Sequence, residues 1–151
     1  MRTLGVNVAN DLAYLAVADA QEVVDITPGV VKFAEGLPQD ERLTALRDEV
    51  RKIIAVNKVT RVNILSAEST YKATYPQMTT RITIETIFAL AAAESGLSCR
   101  RVSRPFVRST LDLPKSGKLA PLADSYTSPV GSNWNGKRSL AAVAALCHGG
   151  E

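Results

Sequence analysis

Apolar positions in the first part of the chain come in short runs separated by turn residues. Thr3 to Val8 and Leu12 to Ala18 flank Ala9-Asn10-Asp11, which predicts a β-hairpin. Glu22 to Thr27, closed by Pro28-Gly29, predicts a third strand, and the short connections make the three an antiparallel meander. The period then changes. Leu43, Leu46, Val50, Ile53 and Ile54 recur at spacings of three and four, and Asp48 precedes Lys52 by four, which predicts an amphipathic helix over Pro38 to Asn57.

Arg61 to Ser66 is a compact apolar strand entered from that helix, and so pairs in parallel with a strand already in the sheet. Ile84, Ile87, Phe88 and Ala91 mark the inner face of a second helix, about Thr79 to Ser95, with Gly96 as its stop. Ser98 to Ser103 reads as a fifth strand and Pro105 to Leu111 as a helical turn. Leu113 to Val130, which holds Pro114, Pro121 and Pro129, reads as loop. An Ala-rich helix, about Arg138 to His148, has side chains small enough to lie close against a sheet. Nothing repeats and no linker divides the chain, so one domain over residues 1–151 is expected, in the order β-β-β-α-β-α-β-loop-α.

Composition supports this picture: 46% of the 151 residues are hydrophobic, enough for one sizeable core. The formal net charge of +3 is mild, but it is unevenly placed: residues 100–118 hold six basic side chains against one acidic, and the rest holds twelve against fourteen. Cys99 and Cys147 have no nearby partner and so offer neither metal spacing nor a disulfide framework. A cytoplasmic setting is the expectation. Asn7, Asn10 and Asp11 interrupt the first apolar stretch, which argues against a secretory leader. No apolar run approaches the ~18 residues that a membrane span needs.

The opening "LGVNVANDLAYLAVAD", together with the element order, resembles the ribonuclease H-like superfamily in its Holliday-junction resolvase (RuvC-type) branch. The resemblance implies an α/β fold: a mixed five-stranded sheet, three antiparallel strands then parallel ones, with helices on both faces. It also implies a nuclease site in which three or four carboxylates at the sheet edge hold two divalent ions, Mg or Mn. Carried over residue by residue, that site is incomplete here. Asn7 stands where the first strand should end in Asp, and Ser139 in "SLAAVAAL" stands where the last helix should open with Asp. Glu68 in "ILSAEST" matches the second acid. Glu68 is thus the candidate catalytic residue, and Glu68 with Asn7 the candidate relic of a metal site. Asp11, Glu85 and Asp124 are acids that could substitute, but none has the strand-end or helix-start location of the family's ligands. The expected function is a nucleic-acid-binding or assembly protein that has lost metal-dependent cleavage. Alternatives are an active Mg- or Mn-dependent endonuclease using Glu68, and a non-enzymatic protein-interaction module. Asn7 can also be read simply as a turn residue bonding backbone.

"CRRVSRPFVRSTLDLPKSGK" offers Arg100, Arg101, Arg104, Arg108, Lys115 and Lys118 for the phosphates of DNA or RNA, with a solvated basic loop as the plainer reading. "GSNWNGKRS" nearly spells a phosphate-binding loop, but Arg138 occupies the place of the required Ser or Thr. The alternative is a turn with Trp134 folded over a core edge. Cys147 and His148 are adjacent on the last helix and point about 100° apart, which does not make a nucleophile pair. Tyr71 and Tyr75 suit either base stacking or core cover. A homodimer or a protein partner is compatible with all of these readings.

Overall fold

The computed structural model describes residues 1–33, 38–68 and 70–147. Strands β1 (Arg2–Ala9) and β2 (Leu12–Asp19) form the hairpin, with Asn10 in the left-handed conformation at the turn (φ 56°). The third expected strand is shorter than Glu22 to Thr27, and a further short strand that was not expected follows Pro28-Gly29. β3 (Glu22–Val24) pairs with one end of β2, the chain leaves the ladder after Val24, and β4 (Val30–Lys32) returns to pair with the other end. Pro28, which has no N–H for a ladder, lies in the connection between the two.

Helix α1 (Gln39–Val56) leads into β5 (Arg61–Leu65), which pairs in parallel with β1; helix α2 (Tyr75–Glu94) leads into β6 (Ser98–Val102), parallel to β5. The strand order is β3-β2-β1-β5-β6, with β4 also on β2. The sheet therefore has six strands rather than five. α3 (Arg104–Thr110) confirms the helical turn, and α5 (Ser139–Leu146) closes the described chain.

Two helical stretches differ from expectation. α4 (Leu119–Tyr126) lies in the segment read as loop. Pro121 is its third residue, within the first turn, where a missing N–H breaks no bond of the helix. α2 starts four residues early because Thr74 caps it: the Thr74 hydroxyl accepts from the Gln77 N–H while the Gln77 side chain accepts from the Thr74 N–H.

The helices cover both faces of the sheet. α1 and α2 pack Leu46, Val50, Ile53, Ile84 and Phe88 onto Leu4, Val6, Val8, Leu15, Val62 and Ile64. α5 crosses the other face, over Gly5 and Ala16, with α4 beside it. At Gly5 a Cβ would lie 1.8 Å from the Ala141 carbonyl oxygen, so glycine is what lets α5 touch the strand. Among the described residues no helix is long and apolar enough to cross a membrane.

Candidate functional site

The parallel pairing of β1 with β5 brings their C-terminal ends to one edge of the sheet. A cleft of about 280 Å³ opens there, lined among others by Asn7, Asn10, Glu68, Tyr71, Arg81 and Arg104. Its position follows from the fold, since loops after parallel strands all emerge on the same side.

Each expected site residue has a definite engagement. Asn7 is buried, and its side-chain N–H donates to the Lys137 carbonyl at 3.1 Å, tying the end of β1 to the turn before α5. Glu68 also reaches the cleft, with its carboxylate 3.6 Å from an Arg104 nitrogen. Ser139 is fully buried and donates its hydroxyl to Asp124 at 2.6 Å; the same carboxylate oxygen accepts from the Gly136 N–H at 2.8 Å. Asp124 therefore serves the entry to α5. Asp11 sits 3.8 Å from Lys32 in an ion pair across the hairpin.

The residue that sequence reasoning missed is Arg81. It is only 9% exposed and reaches the strand ends from α2, donating to the Val8 carbonyl at 2.6 Å, the Leu65 carbonyl at 3.2 Å and Glu85 at 3.0 Å. Glu85, buried as well, also accepts from Arg101 at 2.9 Å. An Arg and a Glu four apart on a helix read as a surface pair. The available signal was the phase: Arg81, Ile84, Phe88 and Ala91 share the inner stripe of α2. Arg81 also lies under the Tyr71 ring, 5.7 Å from its centroid.

The basic segment divides into two groups. Arg100 turns onto the α5 side, where it donates to Asn63 at 3.3 Å and to the Cys147 carbonyl at 3.1 Å. Asn63 in turn donates to the Ala144 and Cys147 carbonyls, so two side chains satisfy the open end of the helix. Arg101 holds Glu85. At the cleft, Arg104 donates to the Ser66 carbonyl at 3.1 Å. Burial pulls its pKa below the ordinary arginine value, Glu68 opposes that, and the nearby Arg81 and Arg108 charges add to it. Arg108 and Lys118 line a second depression beside Glu68 and Arg104, and Arg108 donates to the carbonyls of Pro114, Ser116 and Gly117. Lys115 is exposed.

The remaining motifs resolve into structure. The near-miss phosphate loop wraps its own Arg138, which donates to the Leu15 carbonyl at 2.8 Å and would meet a Cβ on Gly131 at 2.4 Å. Trp134 is buried over a core edge and donates to the Thr127 hydroxyl at 3.0 Å. Burial raises the pKa of the Cys147 thiol to about 11, against the lowering effect of Arg100, and that of Cys99 is raised for the same reason. Both therefore stay neutral thiols near pH 7. His148 lies outside the described residues.

Whether these residues suit the divalent ions that the resemblance implies is a question of donor chemistry. Two close Mg or Mn ions need several anionic oxygens. The cleft offers Glu68, already beside Arg104, together with the neutral amides of Asn7 and Asn10 and two guanidinium groups. Among the described residues no group of three or more His, Cys, Asp or Glu side chains comes together to hold a metal. The donor set does not fit a divalent pair.

No protein-family model and no curated relative matches the chain. Among solved structures, Thermus thermophilus RuvC matches with a TM-score of 0.75 at 16% identity, over 98% of this chain and 93% of that one. The T. thermophilus RuvC structure in complex with a Holliday junction substrate matches with a TM-score of 0.73, also at 16% identity, over 98% and 92%. The fold is therefore ribonuclease H-like, of the RuvC type, as the order of elements implied.

Proposed function

We propose that this protein binds nucleic acid through the rim of the strand-end cleft and does not cleave it by divalent-metal chemistry. The observation that carries the reading is the content of the cleft: Glu68 stands against Arg104, and the Arg81 guanidinium is bonded to the last carbonyls of two parallel strands. Glu68 and Asn7 are then the relic of a metal site. The similar RuvC structure solved with Holliday junction substrate supports DNA, branched DNA included, as the ligand class. Arg104, Arg108, Lys115 and Lys118 meet the phosphates in this reading, because Arg100 is turned to the end of α5 and Arg101 is paired with Glu85. Fluorescence anisotropy with single-stranded DNA, duplex and a four-way junction, in EDTA and in Mg²⁺, tests it. Binding that weakens with salt and is indifferent to metal is expected. Absence of binding at low salt, or Mn²⁺-dependent cleavage abolished by Glu68→Ala, would overturn it.

A second reading, assembly through a protein interface, rests on α2. Its outer surface exposes Tyr75, Met78, Ile82 and Leu90, an apolar stripe at helical spacing. Self-association through this stripe predicts a dimer by light scattering that Ile82→Glu reduces to monomer.

A further inference from the structure

The charge of the cleft is inverted relative to what a cation site needs. Its charged lining is Glu68 against Arg81 and Arg104, with Glu85 behind Arg81 and shared with Arg101. The two cations differ from surface lysines in being held still. Arg81 is fixed by three separate acceptors and is nine-tenths buried, and Arg104 is anchored through its Nε on the Ser66 carbonyl. A guanidinium carries five N–H donors. Arg81 engages one at Nε and one at each terminal nitrogen, and Arg104 engages its Nε, so both retain donors. A pair of oriented guanidinium groups with donors to spare, inside a concave site, is the chemistry that recognises a phosphate oxygen.

We infer that the cleft is an anion site: one phosphate group of the bound nucleic acid seats on Arg81 and Arg104 directly, with no divalent ion between. Asn10 and Tyr71 border the same space. Glu68 is the competitor. Its carboxylate is 43% exposed on the loop after β5 and stands 3.6 Å from Arg104, where it offers the guanidinium the same kind of oxygen that a phosphate would. Neutralising Glu68 should therefore strengthen phosphate binding, whereas at a cation site the same change would weaken it. The inference rests on the nucleic-acid reading for the source of the phosphate, and it assigns the residues that receive it.

The test compares wild type, Glu68→Gln and Arg104→Gln for a fluorescent single-stranded oligonucleotide, in EDTA and in Mn²⁺. In parallel, inorganic phosphate is titrated into the wild type while the arginine Nε–H resonances are followed by NMR. The expected result is about threefold tighter binding for Glu68→Gln and roughly tenfold weaker binding for Arg104→Gln. Both effects should be the same in EDTA and Mn²⁺, and phosphate should shift the Arg81 and Arg104 signals. Weaker binding by Glu68→Gln, or arginine shifts that need Mn²⁺, would overturn the anion site. Oligonucleotide binding that ignores both substitutions, with no phosphate shift, would also overturn it while leaving the nucleic-acid reading on the outer rim. Phosphate shifts without any oligonucleotide binding would support the anion site and remove the nucleic-acid reading.

Discussion

The two faces of the sheet are built on different physics. The face under α1 and α2 presents Leu4, Val6, Val8, Leu15, Val17, Val62 and Ile64, a continuous aliphatic surface whose stabilisation scales with the apolar area removed from water. The face under α5 presents Thr3, Gly5, Asn7, Ala16, Ala18 and Asn63, residues that are small or polar and all buried, and the missing side chain of Gly5 leaves room for the helix. There the helix backbone comes down onto the strand, and side-chain amides are bonded to carbonyls near its two ends. The aliphatic face supplies bulk stability. The close face sets where α5 starts, and through Asn7 and Lys137 it links that start to the cleft.

This difference makes the α5 face intolerant and the other graded. The largest expected effect is at Gly5: Gly5→Val should lift α5 off the sheet and cost about 3 kcal/mol or more in chemical denaturation. Stability close to wild type would show that α5 has room to shift. Arg81→Met comes next, at about 3 kcal/mol, since it strips a buried charge from Glu85 and leaves two strand-end carbonyls without their donor. The double change Arg81→Met/Glu85→Met should recover a good part of that loss. If it does not, the ion cluster contributes stability beyond mutual neutralisation.

On the aliphatic face, Ile64→Val should cost about 1 kcal/mol, the ordinary toll of one buried methylene. A loss as large as at Gly5 would erase the contrast between the faces. The smallest effect concerns pH. Burial keeps the Cys147 thiol neutral in the folded protein until about pH 11, while in the unfolded chain it ionises near the ordinary thiol value of 9.0. The unfolded state loses its proton first, so this contribution to stability is complete below pH 9 and falls as the pH rises toward 11. Urea unfolding from pH 8 to 10.5 should show that decline, and Cys147→Ala should flatten it.

Periodicity was a sufficient guide where burial is one-sided. α1 and the inner stripe of α2 were legible because their apolar spacing reports a single covered face, whereas the hairpin, β5 and the Ala-rich last helix, buried on all sides, were legible as nearly continuous apolar runs. The third strand was expected to run on to Thr27 and β4 was not foreseen, because a stretch of three residues carries no periodicity and only its pairing with β2 reveals it as a strand. α4 was hidden by Pro121, whose harmlessness depends on falling in a first turn. The capping box at Thr74 and Gln77 was in plain view and places the start of α2.

For the cleft, the residue types at three positions could be read directly: Asn7, Glu68 and Ser139 stand where the resemblance implies carboxylates. Their partners could not be read. Arg81 lies 73 residues from Val8 and 16 from Leu65, and its bonds to both exist only because β1 and β5 end side by side. The basic run from Arg100 to Lys118 looked like one patch because charge is additive along a sequence. In the folded chain alternate residues of β6 point to opposite faces, so Arg100 goes to the end of α5 and Arg101 to Glu85. The sequence by itself determined most of the order of elements and the residue types at Asn7, Glu68 and Ser139. Only the tertiary structure decided which cations occupy it, because which side chains meet a strand end is set by pairing and packing across the whole sheet.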